Sequence, residues 1–297
     1  MIDSEIFFCG LSKNCLSTLK KNIEFIQGFK DYLKNNNIKL LIVDSDSNDG
    51  TKDYLNKVEN ELEYLYVINE DRMEIESRVE RIKNCRNLCL DFINKKKQYN
   101  KVIYVPFDSD IFLFSKSSYE KFELLIKSVL EKNNNSGIFP VSLPFYYDIF
   151  ALRAKGWLNF NSQLIVSNLK KTLKVGSFIW NYLFIFRYQL TPEKIKMKKF
   201  KLYSAFGGIG IYDLSGLNLE TTRYEISQKS PDLYSEHIFF NKHFNDLEIK
   251  SDWIIDAPKE HVLYKSYDRK KKFRYIQKTF KNDMKSFFNN SKKRKPL

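Results

Sequence analysis

Residues 102 to 111 read VIYVPFDSDI, an apolar run that ends on Asp108-Ser109-Asp110. In extended backbone, residues i and i+2 point to the same side, so Asp108 and Asp110 can converge on one object. Two facing carboxylates without a partner repel each other, and something positive belongs between them. A divalent cation that prefers hard oxygen ligands, Mg2+ or Mn2+, satisfies both, with a diphosphate sharing its coordination. The same triplet also serves as an ordinary turn at a strand end, because Asp and Ser side chains bond their own backbone. A further carboxylate in the same kind of place is Asp44, at the end of the run IKLLIVD.

What must position these groups is an alternation of short apolar runs with helix-spaced segments. EIFFCGL reads as a strand, and NCLSTLKKNIEFIQGFKDYLK has helical spacing at Leu16, Leu19, Ile23, Ile26 and Phe29 before IKLLIVD. The turn SDSNDGT opens a second helix through Tyr54 and Val58, with Thr51 as its expected N-cap. LEYLYVI is the third strand, residues 75 to 94 repeat helically at Ile75, Val79, Ile82, Leu88 and Phe92, and VIYVPFDSD is the fourth strand. A helix around residues 118 to 131 and the strand GIFPVSLP follow. The pattern predicts an α/β fold, a mostly parallel Rossmann-like sheet flanked by helices. Ligands of such sheets sit beyond the carboxyl ends of the strands, where Asp44 and the Asp108 pair fall.

IVDSDSNDGT resembles the VD-x-x-S-x-DGT signature of family 2 and related nucleotide-sugar glycosyltransferases of the GT-A fold, departing from it at Asp46, where that family often has glycine. ERIKNCRNLCL looks like the helix that carries an arginine and an Arg-Asn pair toward the donor, here Arg81, Arg86 and Asn87. The DSD triplet occupies the place of that fold's metal-binding DxD motif. Over residues 5 to 115 the resemblance implies that Asp44, Arg81, Arg86 and Ser109 bind the nucleotide sugar, and that Asp108 and Asp110 hold Mn2+ or Mg2+. A solvated helix face accounts for Arg81 and Arg86 equally well.

FYYDIFALR, SAFGGIGIYDL and YSEHIFFN are similar to segments of the transferases related to cap-associated α-mannosyltransferases. The similarity implies acceptor contacts for Asp148, Arg153 and His237, sugar contacts for Gly207 and Gly208, and a place near the acceptor for Glu236. A carboxylate there could take the proton of an attacking hydroxyl. A glycine-rich turn, and an amphipathic helix capped by Ser235, are the plainer explanations of the last two segments. GT-A enzymes often complete the metal's coordination with a late histidine, which implies His261 as third ligand, imidazole being acceptable to Mn2+. The alternative for His261 is a partly exposed ring beside Glu260. His243 is assigned no role.

Composition bounds the rest. The 297 residues are 43% hydrophobic and 15% aromatic, enough for a sizeable core, which excludes a disordered chain. Residues 265–297 hold 13 Lys and Arg against Asp268 and Asp283, a net of +11 out of +14, leaving the body near balance. Cys9, Cys15, Cys85 and Cys89 lack metal-ligand pairing and read as reduced thiols. Neither a signal peptide nor an apolar stretch of about 18 residues is present. GSFIWNYLFIF (176 to 186) is either core or a contact to lipid. In the tail, Phe273, Ile276, Phe280, Met284, Phe287 and Phe288 form a helix-spaced apolar stripe among cations, suited to an anionic membrane interface or to packing on the body.

The expectation is a metal-dependent hexosyl-transferring glycosyltransferase with residues 1–264 as its GT-A domain. Residues 1–115 would bind the nucleoside-diphosphate sugar, residues 116–264 a glycan or lipid-linked glycan acceptor in surface polysaccharide synthesis, and 265–297 would be a basic amphipathic tail. The expected location is cytoplasmic, at the membrane face where the tail binds. A sugar-1-phosphate nucleotidyltransferase is a second reading, although GLSKNCLST is a poor match to the glycine-rich basic phosphate loop it needs. A third is a non-catalytic adaptor on membrane or nucleic acid. Nucleic acid ranks below membrane, since the body shows no basic excess and no motif for it.

Overall fold

A computed structural model describes residues 4–34, 37–70, 77–132, 135–173, 177–258 and 261. The first half alternates β1 (Glu5–Ser12), α1 (Leu16–Leu33), β2 (Ile38–Asp44), α2 (Thr51–Glu61), β3 (Leu65–Asn69), α3 (Arg78–Lys96) and β4 (Val102–Asp108). The second half runs α4 (Tyr119–Leu130), β5 (Ser136–Leu143), β6 (Arg153–Lys155), α5 (Ser162–Leu173), α6 (Ser177–Phe184), α7 (Pro192–Met197), β7 (Lys201–Ser204), β8 (Ile211–Asp213), α8 (His237–Phe240) and β9 (Asp246–Asp256). The tail at 265–297, and with it the boundary at 264, lies outside the described residues. No helix among those described is long and apolar enough to cross a membrane.

Among the described residues one sheet has the order β3-β2-β1-β4-β8-β5-β9, and β6 pairs with β7 apart from it. All neighbours in the large sheet are parallel except β8, which runs antiparallel to both β4 and β5. This is the expected mostly parallel α/β architecture, and β1 and β4 are the strands at which the chain order reverses. A crevice opens beyond the carboxyl ends of such a pair.

The strands read as continuous apolar runs because both faces of the sheet are covered. Along β1, Ile6 and Phe8 enter one core with Phe29, Phe122 and Trp253, whereas Phe7 and Cys9 enter the other with Cys85, Cys89 and Tyr104. In the first core, Phe29 and Phe122 meet edge to face at 5.2 Å. Burying side chains of this size contributes about 2 to 3 kcal/mol each. The four cysteines are all buried and unpaired.

Two local expectations change. Thr51 is the first residue of α2 and not its N-cap; Gly50 caps the helix with φ 89°. The Thr51 hydroxyl instead donates to Asp49 Oδ1 at 2.5 Å and accepts from Cys15 N at 3.2 Å, tying the loop to the start of α1. The helix after Ser235 is only four residues long, too short for an amphipathic helix, and Glu236 stands at its N-cap. Asp46 adopts φ 56°, a left-handed conformation that glycine takes freely and aspartate tolerates, so the departure from the signature leaves the loop its shape.

Candidate active site

The Asp-Ser-Asp triplet is pinned from both sides. Leu11 of β1 is the register partner of Asp108, and Leu11 O accepts from Ser109 N at 3.0 Å. On the other flank, Asp108 N donates to Gly208 O at 2.8 Å. Asp108 shares the parity of Val102 and Tyr104, whose side chains lie on the α3 face of the sheet. There Arg86, fully buried, donates from Nη2 to Asp108 Oδ1 at 2.5 Å and from Nη1 to Phe107 O at 3.3 Å. Its guanidinium also sits over the Phe206 ring, 4.9 Å from the centroid.

Beyond the strand ends lies a cavity of about 890 Å³. Five carboxylates line it: Asp108 at the end of β4 and Asp110 just after it, Asp148 from the loop after β5, Asp232 ahead of α8, and Glu236 at its head. Cations come from Lys13, from Arg78 and Arg81 on α3, and from Lys170 on α5, and His261 also reaches the wall. Burial pushes Asp108 up to about 7, and Asp110, Glu236 and Asp148 add to the rise against the opposing pull of Arg86. Because 39% of the Asp108 side chain is accessible within the cavity, water there softens this effect. Burial likewise raises Glu236 above the usual carboxylate range, against Arg86. It raises Asp148 too, although Gly207 N and Ala151 N donate to its two oxygens at 2.9 and 3.2 Å.

Of the residues singled out in the sequence, Arg81, Asp108, Asp110, Asp148, Glu236, His237 and His261 meet at this cavity; Asp44, Arg86, Ser109, Arg153, Gly207 and Gly208 do not line it. Asp44 is buried, with Ser12 Oγ at 2.9 Å and Ser47 Oγ at 2.6 Å donating to Oδ1, and Ser47 N at 2.9 Å donating to Oδ2. It closes the turn after β2 and fastens it to the end of β1. Ser109, between the two aspartates, points into the protein, and its buried Oγ has no hydrogen-bond partner among the described residues. Gly207 and Gly208, at φ 78° and 88°, are the backbone that orients Asp148 and Asp108. Arg153 donates to the carbonyls of Phe150 and Leu152, and burial lowers it to about 10. Asn87 pairs with both backbone groups of Tyr224, at 2.9 and 3.0 Å, and so joins α3 to the second half.

His237 stacks on Phe206 with ring centroids 3.7 Å apart, and burial, then Arg86, lowers its pKa well below 6.5. It is a neutral ring whose Nε2 lies 3.3 Å from Glu236 Oε1. His261 packs beside Tyr147 with centroids 5.2 Å apart. Among the described residues, no three of His, Cys, Asp and Glu are grouped to hold a metal ion, so His261 does not complete a ready-made triad. Asp108 and Asp110 nevertheless fit Mg2+ or Mn2+: they are hard oxygen donors on one cavity wall, and such ions bind to one or two carboxylates and complete their shells with phosphate and water.

Several cavity residues escaped the sequence reading. Arg78 precedes Arg81, Ile82 and Cys85 by three, four and seven residues, so the face that α3 turns to the cavity was readable as a helical stripe. Lys13 directly follows β1 and was open to the strand-end rule. Lys170, Gln163 and Asn181 come from α5 and α6, where no motif marks them.

No protein-family model matches the sequence, and no curated protein matches it. Solved structures do. The chain is similar to residues 1–349 of S. aureus TarS, with 15% identity, TM-score 0.46, and 95% of this chain and 72% of that one covered. It is similar to glucosyl-3-phosphoglycerate synthase from Mycobacterium tuberculosis, solved with Mn2+, uridine diphosphate and phosphoglyceric acid, with 11% identity, TM-score 0.44, and coverage of 95% and 78%. A third likeness is to the mannosyltransferase PcManGT of Pyrobaculum calidifontis in complex with GDP-Man and Mn2+, at 15% identity and TM-score 0.35, over 48% of this chain and 37% of that one.

Proposed function

We propose that this protein is a glycosyltransferase that moves a hexosyl group from a nucleoside-diphosphate sugar to a hydroxyl of a glycan or lipid-linked glycan acceptor. The observation that supports it is one cavity at the β1/β4 switch point that gathers the Asp108–Asp110 pair, the cations of α3 and the raised carboxyl of Glu236. Arg78 and Arg81 offset the charge of a diphosphate, and Asp108 is held in place by Arg86 and by the backbone of Gly208. Glu236, with a pKa above the usual carboxylate range, is the base that accepts the acceptor's proton as the oxygen attacks the anomeric carbon. Neutral His237, wedged on Phe206, fixes the wall beside that carboxylate. Asp148, Gln163 and Asn181 are polar groups available to the acceptor sugar. Asp108 and Asp110 would hold Mn2+ or Mg2+, which when bound neutralises the departing diphosphate, with His261 as a further ligand. Surface polysaccharide is the proposed product class.

Thermal stabilisation by UDP, GDP, CDP and ADP, each with and without Mn2+, tests this reading. One nucleotide should raise Tm in the presence of Mn2+, and Asp110→Asn should abolish the shift while leaving the ligand-free Tm unchanged, because Asp110 is exposed. No shift with any nucleotide would refute the donor site.

A further inference from the structure

The near balance of residues 1–264 conceals a segregation of charge. Residues 149–212 hold 11 Lys and Arg against Glu193 alone, a net of +10, so the remainder of 1–264 carries −7. From 149 to 192 there is no carboxylate at all. The same segment concentrates exposed apolar surface. Of eight exposed large hydrophobic side chains among the described residues, Ile179, Tyr182, Leu183, Met197 and Tyr203 lie within it. Exposed apolar groups scattered singly need no explanation, but a cluster set among unopposed cations does.

Three of these five, Ile179, Tyr182 and Leu183, belong to α6. Phe184 meets Phe160 edge to face, with ring centroids 6.4 Å apart, and Ile185 packs on the core, so the inward side of the helix is satisfied. Ile179, Tyr182 and Leu183, at spacings of three and four, share the outward side, and Ile179 and Tyr182 are 50% and 53% exposed. Lys170 and Lys171 form the last turn of α5, which packs against α6, and exposed Arg187 follows α6. The lysines at 194, 196, 198 and 199 lie around α7, which packs on β9 and β5, and they have no ion-pair partner among the described residues.

We infer that the α5–α6 face docks on an anionic lipid bilayer, with Ile179, Tyr182 and Leu183 at the boundary of headgroups and acyl chains and the cations over the phosphates. A soluble polyanion would use the cations and could stack on tyrosines, but it offers nothing to Ile179 and Leu183; a bilayer matches both. Asn181, Ile185 and Phe186 line the cavity, so docking would bring the cavity to the lipid surface. The inference is independent of the glycosyl-transfer reading, because vesicle binding requires no turnover.

The test compares the full chain with Ile179→Ser/Leu183→Ser, a double variant that keeps every charge, including those of residues 265–297. Vesicles of phosphatidylcholine with about 30% phosphatidylglycerol should sediment the parent chain, and the double variant should partition roughly tenfold less, while both bind heparin equally. Equal sedimentation of parent and variant would overturn the assignment, as would heparin binding with no vesicle binding, which marks a soluble polyanion site. A second readout leaves Ile179 and Leu183 in place. Trp157 and Trp253 are buried, so quenching of the parent's emission by brominated acyl chains, lost in Trp180→Phe, reports α6 at the bilayer. Absence of quenching in sedimented protein would also overturn it.

Discussion

Replacing Asp44 with alanine separates two uses of that carboxylate, as a nucleoside ligand or as the clamp of the loop after β2. In the structure its oxygens accept three hydrogen bonds, from Ser12 Oγ, Ser47 Oγ and Ser47 N, and none of the residue is exposed. Hydrogen bonds to a charged group contribute about 1.5 kcal/mol or more each, which would total roughly 4 to 5 kcal/mol. Ser47 is only 7% exposed, so its freed N–H regains little water, and the loss, less some local relaxation, should be about 3 to 4 kcal/mol. For a chain of this size that corresponds to a Tm lower by about 5 to 6 °C. Asp44→Asn, which keeps the shape and one acceptor oxygen, should lose about half as much. Far-UV circular dichroism melts of the ligand-free protein near neutral pH measure this directly. An alanine variant that melts within about 2 °C of the parent, while nucleoside-diphosphate affinity collapses, would refute the clamp and restore the carboxylate to the donor.

Three further outcomes are expected. Glu236→Gln should lower kcat by about 10² to 10⁴ with little change in Tm; the parent's kcat/KM should fall as pH drops through a pKa above the usual carboxylate range, a limb the variant lacks, and retained activity would exclude the base. Gly208→Ala should cost about 2 to 4 kcal/mol in a denaturant titration, since φ is 88° and a Cβ would stand 2.8 Å from the Tyr147 hydroxyl; a loss below about 0.5 kcal/mol would show that Tyr147 yields freely. His237→Phe keeps the stack on Phe206 and removes a group whose folded pKa is depressed. Stability contributed by that depression is present above the unfolded value of about 6.5 and is lost as pH falls below it, so parent Tm minus variant Tm should shrink from pH 8 to pH 5; a widening gap would contradict a buried neutral ring.

Local period and local charge are legible in the amino-acid order alone. The alternation of apolar runs with helix-spaced segments named the strands and helices of the first half, whereas β4 ends at Asp108 and a turn carries Asp110, so the turn and not strand parity brings both carboxylates to the cavity. Arg78, Arg81 and Cys85 carried their common face in their spacing, and the carboxylate-free stretch from 149 to 192 was there to be counted. Tertiary structure decided the contacts that cross between distant elements. Arg86 became the counter-ion of Asp108 because α3 packs on the face of the sheet toward which Asp108 points. Asp44 lost its free carboxylate to serines at the ends of two different strands, and the glycine pair became the support of Asp108 and Asp148 and not a cavity wall. Helical and strand periods are properties of neighbouring residues, whereas a hydrogen bond across 22 or 59 positions exists only once the crossovers have folded. The same reason accounts for Lys170 and Asn181: nothing near them in the chain distinguishes the side chain that lines the cavity from the ones that face outward.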